Sequence, residues 1–385
     1  MIKIKNISRL IDLPKLLAHK SGFLLGPRQT GKSWIIRHTL RDAQVYDLLD
    51  SATYADLSHH PARIEQEWLA DPPHGGVVVL DEVQRLPLLL NEVHRLIEQH
   101  GIRFLLTGSS ARKLRGGGVN LLGGRARVHH LHPFVSAELG KTFDLMRAVN
   151  RGLLPPLYFS AEPEEDLAAY AGVYLREEIA AEALTRNLPA FSRFLQVAAL
   201  CNGQMINYTR VANDAQVPRS TVVEYFGILK DTLIGYEAPA WRQSVKRKAI
   251  TTAKFYLFDS GVTRHLQGRG GIQAGTPEFG QALETLLFHE LRTYCDYRQA
   301  GEVAYWRSAS GFEVDFVVAD RVAIEVKGTG RLADSDLRGL RALREENKLA
   351  SYICVTLDPR PRVVDGMQVL PVPIFLERLW AGELV

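Results

Sequence analysis

Residues 26–33 read Gly-Pro-Arg-Gln-Thr-Gly-Lys-Ser, the spacing GxxxxGK[ST], set between the apolar run Phe23-Leu24-Leu25 and the helix-forming stretch WIIRHTL. A strand, a glycine-rich loop and a helix in that order leave few folds open. The glycines let the loop curl so that backbone N–H groups from Gln29 to Trp34 converge on phosphates beside the positive end of a helix. In this pattern Lys32 reaches the β and γ phosphates and Ser33 ligates Mg²⁺. Gly26, Gln29, Thr30, Gly31, Lys32, Ser33 and Trp34 are therefore the expected nucleotide contacts, with ATP and Mg²⁺ as the expected cofactors.

A phosphate loop needs a metal-holding acid at the end of a second buried strand, and Val77-Val78-Val79-Leu80-Asp81-Glu82 supplies one. Asp81 is expected to hold Mg²⁺ and Glu82 to polarise the attacking water as general base. Arg103-Phe-Leu-Leu-Thr107 reads as a third strand opening into Gly108-Ser109-Ser110, where Thr107 or Ser109 is placed to sense the γ-phosphate. Val45–Leu49 and Arg127–Leu131 bring the strands to five, with helical patterns at Ile64–Ala70 and Leu89–Gln99. The expectation is an α/β fold with a parallel five-stranded sheet covered by helices. His129, His130 and His132 read as structural residues at an alternating strand end.

The segments GPRQTGKS, VVVLDEVQRLP and RFLLTGSSARKL resemble the core of the AAA+ superfamily, and among its members the prokaryotic family that ends in a restriction-endonuclease-like DUF4143-type region. The resemblance covers roughly residues 20–135. Gly123-Gly124-Arg125 is similar to that family's Gly-Arg element, which implies that Arg125 reaches into a neighbouring subunit's site and that the chain forms a homo-oligomer such as a hexamer. A salt-bridged arginine at a strand start is the plainer reading of the same residue.

Past residue 135 the pattern turns helical, with apolar and aromatic residues at three-to-four spacing over Leu167–Ala183 and a hinge at Arg151–Tyr158. Residues 136–190 match the helical lid expected after such a core. Phe191–Cys201, Asn207–Ala215 and Arg219–Lys230 then read as a helix-turn-helix unit, and Leu233–Pro239 and Lys254–Phe258 as a wing around the basic Arg242–Lys248. A winged helix over 191–266 puts Arg219, Ser220 and Thr221 in a major groove and Lys246, Arg247 and Lys248 on phosphates. A winged helix that only packs domains, its charges solvated, fits the same pattern.

KFYLFDSGVTRHL is similar to the start of the family's C-terminal region, and 267–385 form the last expected domain. Glu284 lies in the helical pattern Phe279–Tyr297, Asp315 and Glu325 lie on strands, and Lys327 follows Glu325 by two residues. Strand alternation puts Glu325 and Lys327 on one face, so three carboxylates and a lysine can converge on Mg²⁺. GFEVDFVVADRVAIEVKG resembles the PD-(D/E)xK pattern of nuclease-like α/β domains, although Gly311-Phe312-Glu313 lacks the proline, and a degenerate nuclease fold kept for binding or assembly, its charges needing no metal, fits the same residues.

Composition adds limits. The 385 residues carry 47 Lys plus Arg against 43 Asp plus Glu, a net charge of +4 that gives no bulk argument for nucleic acid. Three dispersed cysteines suggest neither a disulfide framework nor a zinc site. The start lacks the apolar core of a signal peptide, so a cytoplasmic location is expected. Together these features predict an oligomeric ATPase coupled to binding and remodelling of DNA, forked or branched forms included. An ATP-gated nuclease and a nucleotide-dependent switch acting on a protein partner stay open as alternatives.

Overall fold

The computed structural model describes residues 7–109, 122–174 and 187–385. The chain divides into two compact units, one of Ser8–Pro133 with Lys230–Ile234 and one containing Phe134–Leu229 and Gly235–Val385.

The first unit is built on five strands, β1 (Ser21–Leu25), β2 (Gln44–Asp47), β3 (Val77–Asp81), β4 (Arg103–Gly108) and β5 (Ala126–His130). They pair in parallel in the order β2-β3-β4-β1-β5. β1 and β3 are buried along their whole length, as strands covered on both faces must be. Alternate residues divide between two cores. Phe23, Leu25, Val78, Leu80, Phe104 and Leu106 pack with Leu89, Val93 and Leu96 of the helix Leu89–His100. Leu24, Val79 and Leu105 pack with Ile35 and Ile36 of the helix Lys32–Thr39. With every strand parallel, the C-terminal ends of β1, β3 and β4 share one edge, where an open sheet of this kind binds ligands.

The second unit holds two sheets. A small antiparallel one contains β6 (Gln204–Met205), β7 (Gly235–Ala238) and β8 (Lys254–Leu257), in the order β6-β8-β7. Its helical companions are Leu188–Leu200, Tyr208–Ala215 and Arg219–Asp231. The larger sheet contains β9 (Val303–Arg307), β10 (Glu313–Val318), β11 (Val322–Val326), β12 (Ser351–Thr356), β13 (Arg362–Val364) and β14 (Met367–Pro371), ordered β13-β14-β12-β11-β10-β9. β11, β12 and β14 run parallel, and the remaining pairings are antiparallel. The helices Pro277–Arg298 and Val372–Ala381 cover one face through Leu283, Leu287, Phe375 and Leu379, and Arg338–Arg344 covers the other through Leu340 and Leu343.

The segment expected to serve the nucleotide core as a lid groups elsewhere. Phe134, Val135, Leu139, Ala148, Val149 and Tyr158 share a core with Leu283, Phe316, Ile324 and Ile353 in the second unit. A clasp holds this segment in place. The buried Asp259 carboxylate accepts from the N–H of Leu153 at 2.6 Å and of Val262 at 3.0 Å, and burial pushes its pKa up to about 6. Gly152 has φ +78°, and a Cβ there would lie 1.9 Å from Asp259 Oδ1. The hinge read at Arg151–Tyr158 is thus a tightly packed corner. Ser110 and residues 175–186 of the expected lid lie outside the described residues.

Candidate functional site

At the shared edge of the first unit, the backbone itself explains the glycines. Gly26 donates its N–H to the Gly108 carbonyl at 3.2 Å, and a Cβ on it would lie 2.3 Å from the Leu131 carbonyl oxygen. The loop therefore leaves β1 between the ends of β4 and β5, through a gap that admits only glycine. Gln29 at φ 62° and Gly31 at φ 96° then curl it into the helix Lys32–Thr39. Thr30 Oγ1 donates to the Pro27 carbonyl at 2.8 Å and closes the turn. Lys32 Nζ donates to the carbonyls of Gly26 at 2.7 Å and Pro27 at 3.2 Å, so the ammonium lies over the loop. Trp34 stacks on His38 at 4.0 Å between ring centroids.

Opposite the loop, Ser33 Oγ donates to Asp81 Oδ2 at 2.9 Å, and Thr107 Oγ1 donates to Asp81 Oδ1. The same Thr107 oxygen accepts from the Glu82 N–H at 3.1 Å. A hydroxyl and a carboxylate meeting in this way form the all-oxygen donor set that suits Mg²⁺. Glu82 takes φ 62°, a left-handed conformation that carries its side chain off the strand direction. Its Oε2 accepts from Gln84 Nε2 at 2.6 Å, and that nitrogen also reaches Ser109 Oγ at 3.2 Å. Glu82, Gln84 and Ser109 are all buried.

Sequence reasoning missed Gln84. It lies two residues beyond Glu82 in the quoted motif, and its effect depends on β4, where Gly108 lacks a Cβ that would stand 2.5 Å from Gln84 Oε1. A hydrogen bond to a charged group contributes about 1.5–3 kcal/mol, so losing one bond that orients Glu82 should slow turnover by about 10- to 100-fold. The expected result for Gln84→Ala is that fall in kcat with the KM for ATP unchanged, read in a steady-state hydrolysis assay.

Arg125 Nε pairs with Glu98 Oε1, within its own unit.

The second set of expected residues lies in the second unit, and its geometry departs from a metal cluster. A bulge in β10 sets Asp315 and Phe316 together between the pairs Val314↔Trp306 and Val317↔Ala304, which re-aims Asp315. Lys254 of β8, its side chain 4% exposed, occupies the position where the acids meet. Its Nζ lies 2.6 Å from Glu313 Oε1, 3.5 Å from Glu284 Oε1 and 3.9 Å from Asp315 Oδ1. Tyr256, also on β8, donates its hydroxyl to Glu284 Oε1 at 2.6 Å. Glu325 and Lys327 form a separate pair at 2.7 Å, and Glu325 Oε2 is buried without a donor. Asp315 Oδ2 accepts from the Val326 N–H at 2.8 Å. Glu284, Asp315 and Glu325 do not bring three oxygens within 4.8 Å of one another.

The electrostatics follow burial. Burial and the Asp315 charge push Glu284 up to about 7, with Lys254 and Tyr256 pulling it back. Burial raises Asp315 as well, and burial with the Asp315 charge drives Glu325 well above the carboxylate range. Burial works against the charged form of Lys254, but the carboxylates of Glu284, Asp315 and Glu313 outweigh it and hold the ammonium more firmly than usual.

The basic wing tip is a correction to the sequence reading. In place of a free positive tip, the backbone N–H groups of Val245, Lys246 and Arg247 all donate to the Glu346 carboxylate, at 2.8–3.1 Å. Lys246 Nζ donates to the Glu345 carbonyl at 2.5 Å, and Arg247 pairs with Glu345 at 2.7 Å while lying 5.3 Å over the Phe312 ring. Two acids on the C-terminal part of the unit draw the loop down; of the three side chains Arg247 is ion-paired, Lys246 is exposed on a backbone carbonyl, and Lys248 is exposed. Arg219 and Ser220 are exposed at the start of the helix Arg219–Asp231, Thr221 is half-buried, and Arg219 lies 5.9 Å from the Tyr208 ring centroid.

Comparison with known proteins agrees with this geometry in the first unit. Residues 18–140 match the model of a family described as AAA domain. Residues 142–273 match a domain of unknown function, DUF8612, and residues 279–375 another, DUF4143. The chain thus carries an AAA domain. In particular, it joins that AAA domain to a C-terminal DUF4143 region. It is 25% identical over 231 residues to an uncharacterized protein of Haemophilus influenzae, a match over 55% of this chain and 56% of that one. The chain therefore spans just over half the length of this curated relative. A solved structure of the Aeropyrum pernix ORC1 protein in complex with DNA is similar at 14% identity with a TM-score of 0.25, over 66% of this chain and 89% of that one. No helix among the described residues is long and apolar enough to cross a membrane.

Proposed function

We propose that the protein is a Mg²⁺-dependent ATPase that works as a homo-oligomer and couples hydrolysis to binding and remodelling of DNA. The observation that carries the hydrolysis reading is the hydrogen-bonded series Ser33, Asp81, Thr107, Glu82, Gln84 and Ser109, which spans the ends of β3 and β4 and the start of the loop helix. The loop N–H groups and Lys32 bind the phosphates, and the helix start adds its positive potential. Ser33 and Asp81 are the residues that would hold Mg²⁺, which when bound neutralises phosphate charge. Glu82 takes the proton of the attacking water while Gln84 keeps its carboxylate oriented. Ser109, joined to Gln84, is placed to register the γ-phosphate. Arg125 serves a neighbouring subunit only by leaving Glu98.

The DNA reading rests on the helix Arg219–Asp231. Its exposed start and Tyr208, Thr209 and Thr252 border a groove of about 450 Å³ open to solvent. Helix-turn-helix units offer such a start to base edges and phosphates. With Lys246 and Arg247 engaged by Glu345, the contacts fall on Arg219, Ser220, Thr221 and Lys248. Fluorescence anisotropy of labelled duplex should show Arg219→Ala binding at least about fivefold more weakly with a shallower salt dependence, one phosphate contact fewer. Lys246→Ala and Arg247→Ala should leave affinity close to that of the parent. Equal binding by Arg219→Ala would remove this surface from the account.

A further inference from the structure

The C-terminal acidic pocket contains the residue types of a metal-dependent nuclease site, and its geometry does not fit a metal. An octahedral Mg²⁺ with oxygens at about 2.0–2.1 Å requires neighbouring ligand atoms about 3 Å apart and opposite ones about 4.2 Å apart. Glu284, Asp315 and Glu325 offer no such trio of oxygens within 4.8 Å. The carboxylates of Glu284, Glu313 and Asp315 are instead arranged around one nitrogen, Lys254 Nζ, at 2.6–3.9 Å. That nitrogen comes from a side chain only 4% exposed, which also lies 5.3 Å from the Tyr305 ring centroid. Lys327 takes one oxygen of Glu325, and Arg307 takes the other oxygen of Glu313 at 3.2 Å.

We infer that Lys254 is a built-in cation that stands where a nuclease would bind its metal, so that this pocket takes no divalent ion and joins β8 to β10 and to the helix Pro277–Arg298. The placement has a structural logic. Lys254 and Tyr256 are two residues apart on β8 and therefore share a face. Both direct a donor at Glu284 Oε1. A single carboxylate oxygen thus holds two side chains of the small sheet against the long helix under the large one. An ammonium brings its charge with the fold, whereas a metal comes and goes with its concentration. The pocket is then a fixed joint, independent of the hydrolysis proposed for the first unit.

The test is a Mn²⁺ titration of the full nucleotide-free chain, with free Mn²⁺ followed by electron paramagnetic resonance. The parent and Asp315→Asn should take up Mn²⁺ identically, up to millimolar concentrations. Lys254→Met should gain about one Mn²⁺ per chain, and adding Asp315→Asn should remove that gain. Uptake by the parent that Asp315→Asn or Glu325→Gln abolishes would overturn the inference, and that comparison stands even if Lys254→Met fails to fold. A folded Lys254→Met chain that gains no Mn²⁺ would equally show that the ammonium does not stand in a cation's place.

Discussion

Glu82→Gln should reduce ATP turnover by about 10³-fold while leaving ATP binding intact, because a positioned general base contributes about 10²–10⁴ to rate and little to ground-state affinity. The substitution preserves the size of the side chain and an acceptor oxygen for Gln84 Nε2, which bonds Glu82 at 2.6 Å. Ser33, Asp81 and Thr107 do not touch the altered atom, and Lys32 stays over the loop on the Gly26 and Pro27 carbonyls. What is lost is the group that accepts a proton. Single-turnover hydrolysis beside equilibrium binding of a fluorescent ATP analogue separates the two effects. Parallel losses of binding and turnover would mean that Glu82 acts in building the site.

Gly261→Ala should destabilise the second unit by about 3 kcal/mol or more, since overpacking a rigid interior costs about 1–3 kcal/mol even when side chains can yield. Here the obstructing atoms are backbone. A Cβ at Gly261 would lie 2.3 Å from the Arg151 carbonyl carbon and 2.4 Å from both the Arg151 oxygen and the Gly152 nitrogen. Gly152 cannot retreat, because Asp259 closes its other side and binds the N–H of its neighbour Leu153. A melting temperature lower by about 10 °C is the expected result in differential scanning calorimetry. A shift below about 2 °C would show that the corner is looser than its contacts imply.

What could be read from the sequence and what could not follow from how far apart the cooperating atoms lie along the chain. The phosphate loop is eight consecutive residues, and Asp81 and Glu82 end an uninterrupted apolar run, so local pattern alone carries the first site. β1, β3 and β4 of the parallel sheet were legible for the same reason, each an apolar run with a turn beyond it, whereas β2 (QVYD) and β5 (ARVHH) are mixed, partly exposed strands that gave a weaker signal. Gln84 stood in plain view beside Glu82, but its part depends on Ser109 and on the missing Cβ of Gly108, 24 and 25 residues away. Lys254 is harder still. It lies 30 residues from the helical Glu284 and on a different sheet from Asp315 and Glu325, and no spacing rule links it to either acid strand.

Charge patterns misled where they were read without partners. Arg242–Lys248 is a basic run between two strands, which ordinarily means a solvated tip. Glu345 and Glu346, about a hundred residues on, capture it. Glu284, Asp315 and Glu325 do lie on one helix and two neighbouring strands, yet no local pattern disclosed the bulge at Asp315 or the Lys254 ammonium beside it. The described part of the expected lid, residues 136–174, is helical, but its pattern held no sign of its packing partner, because an apolar helix face records only that it is covered.

The most direct test of the whole account is steady-state ATP hydrolysis with Mg²⁺, measured for the parent and Glu82→Gln, alone and with single-stranded, duplex, forked and four-way DNA. The account predicts Mg²⁺-dependent turnover that Glu82→Gln abolishes and that at least one DNA form raises. Turnover that persists in Glu82→Gln, or that no DNA form changes, would contradict it.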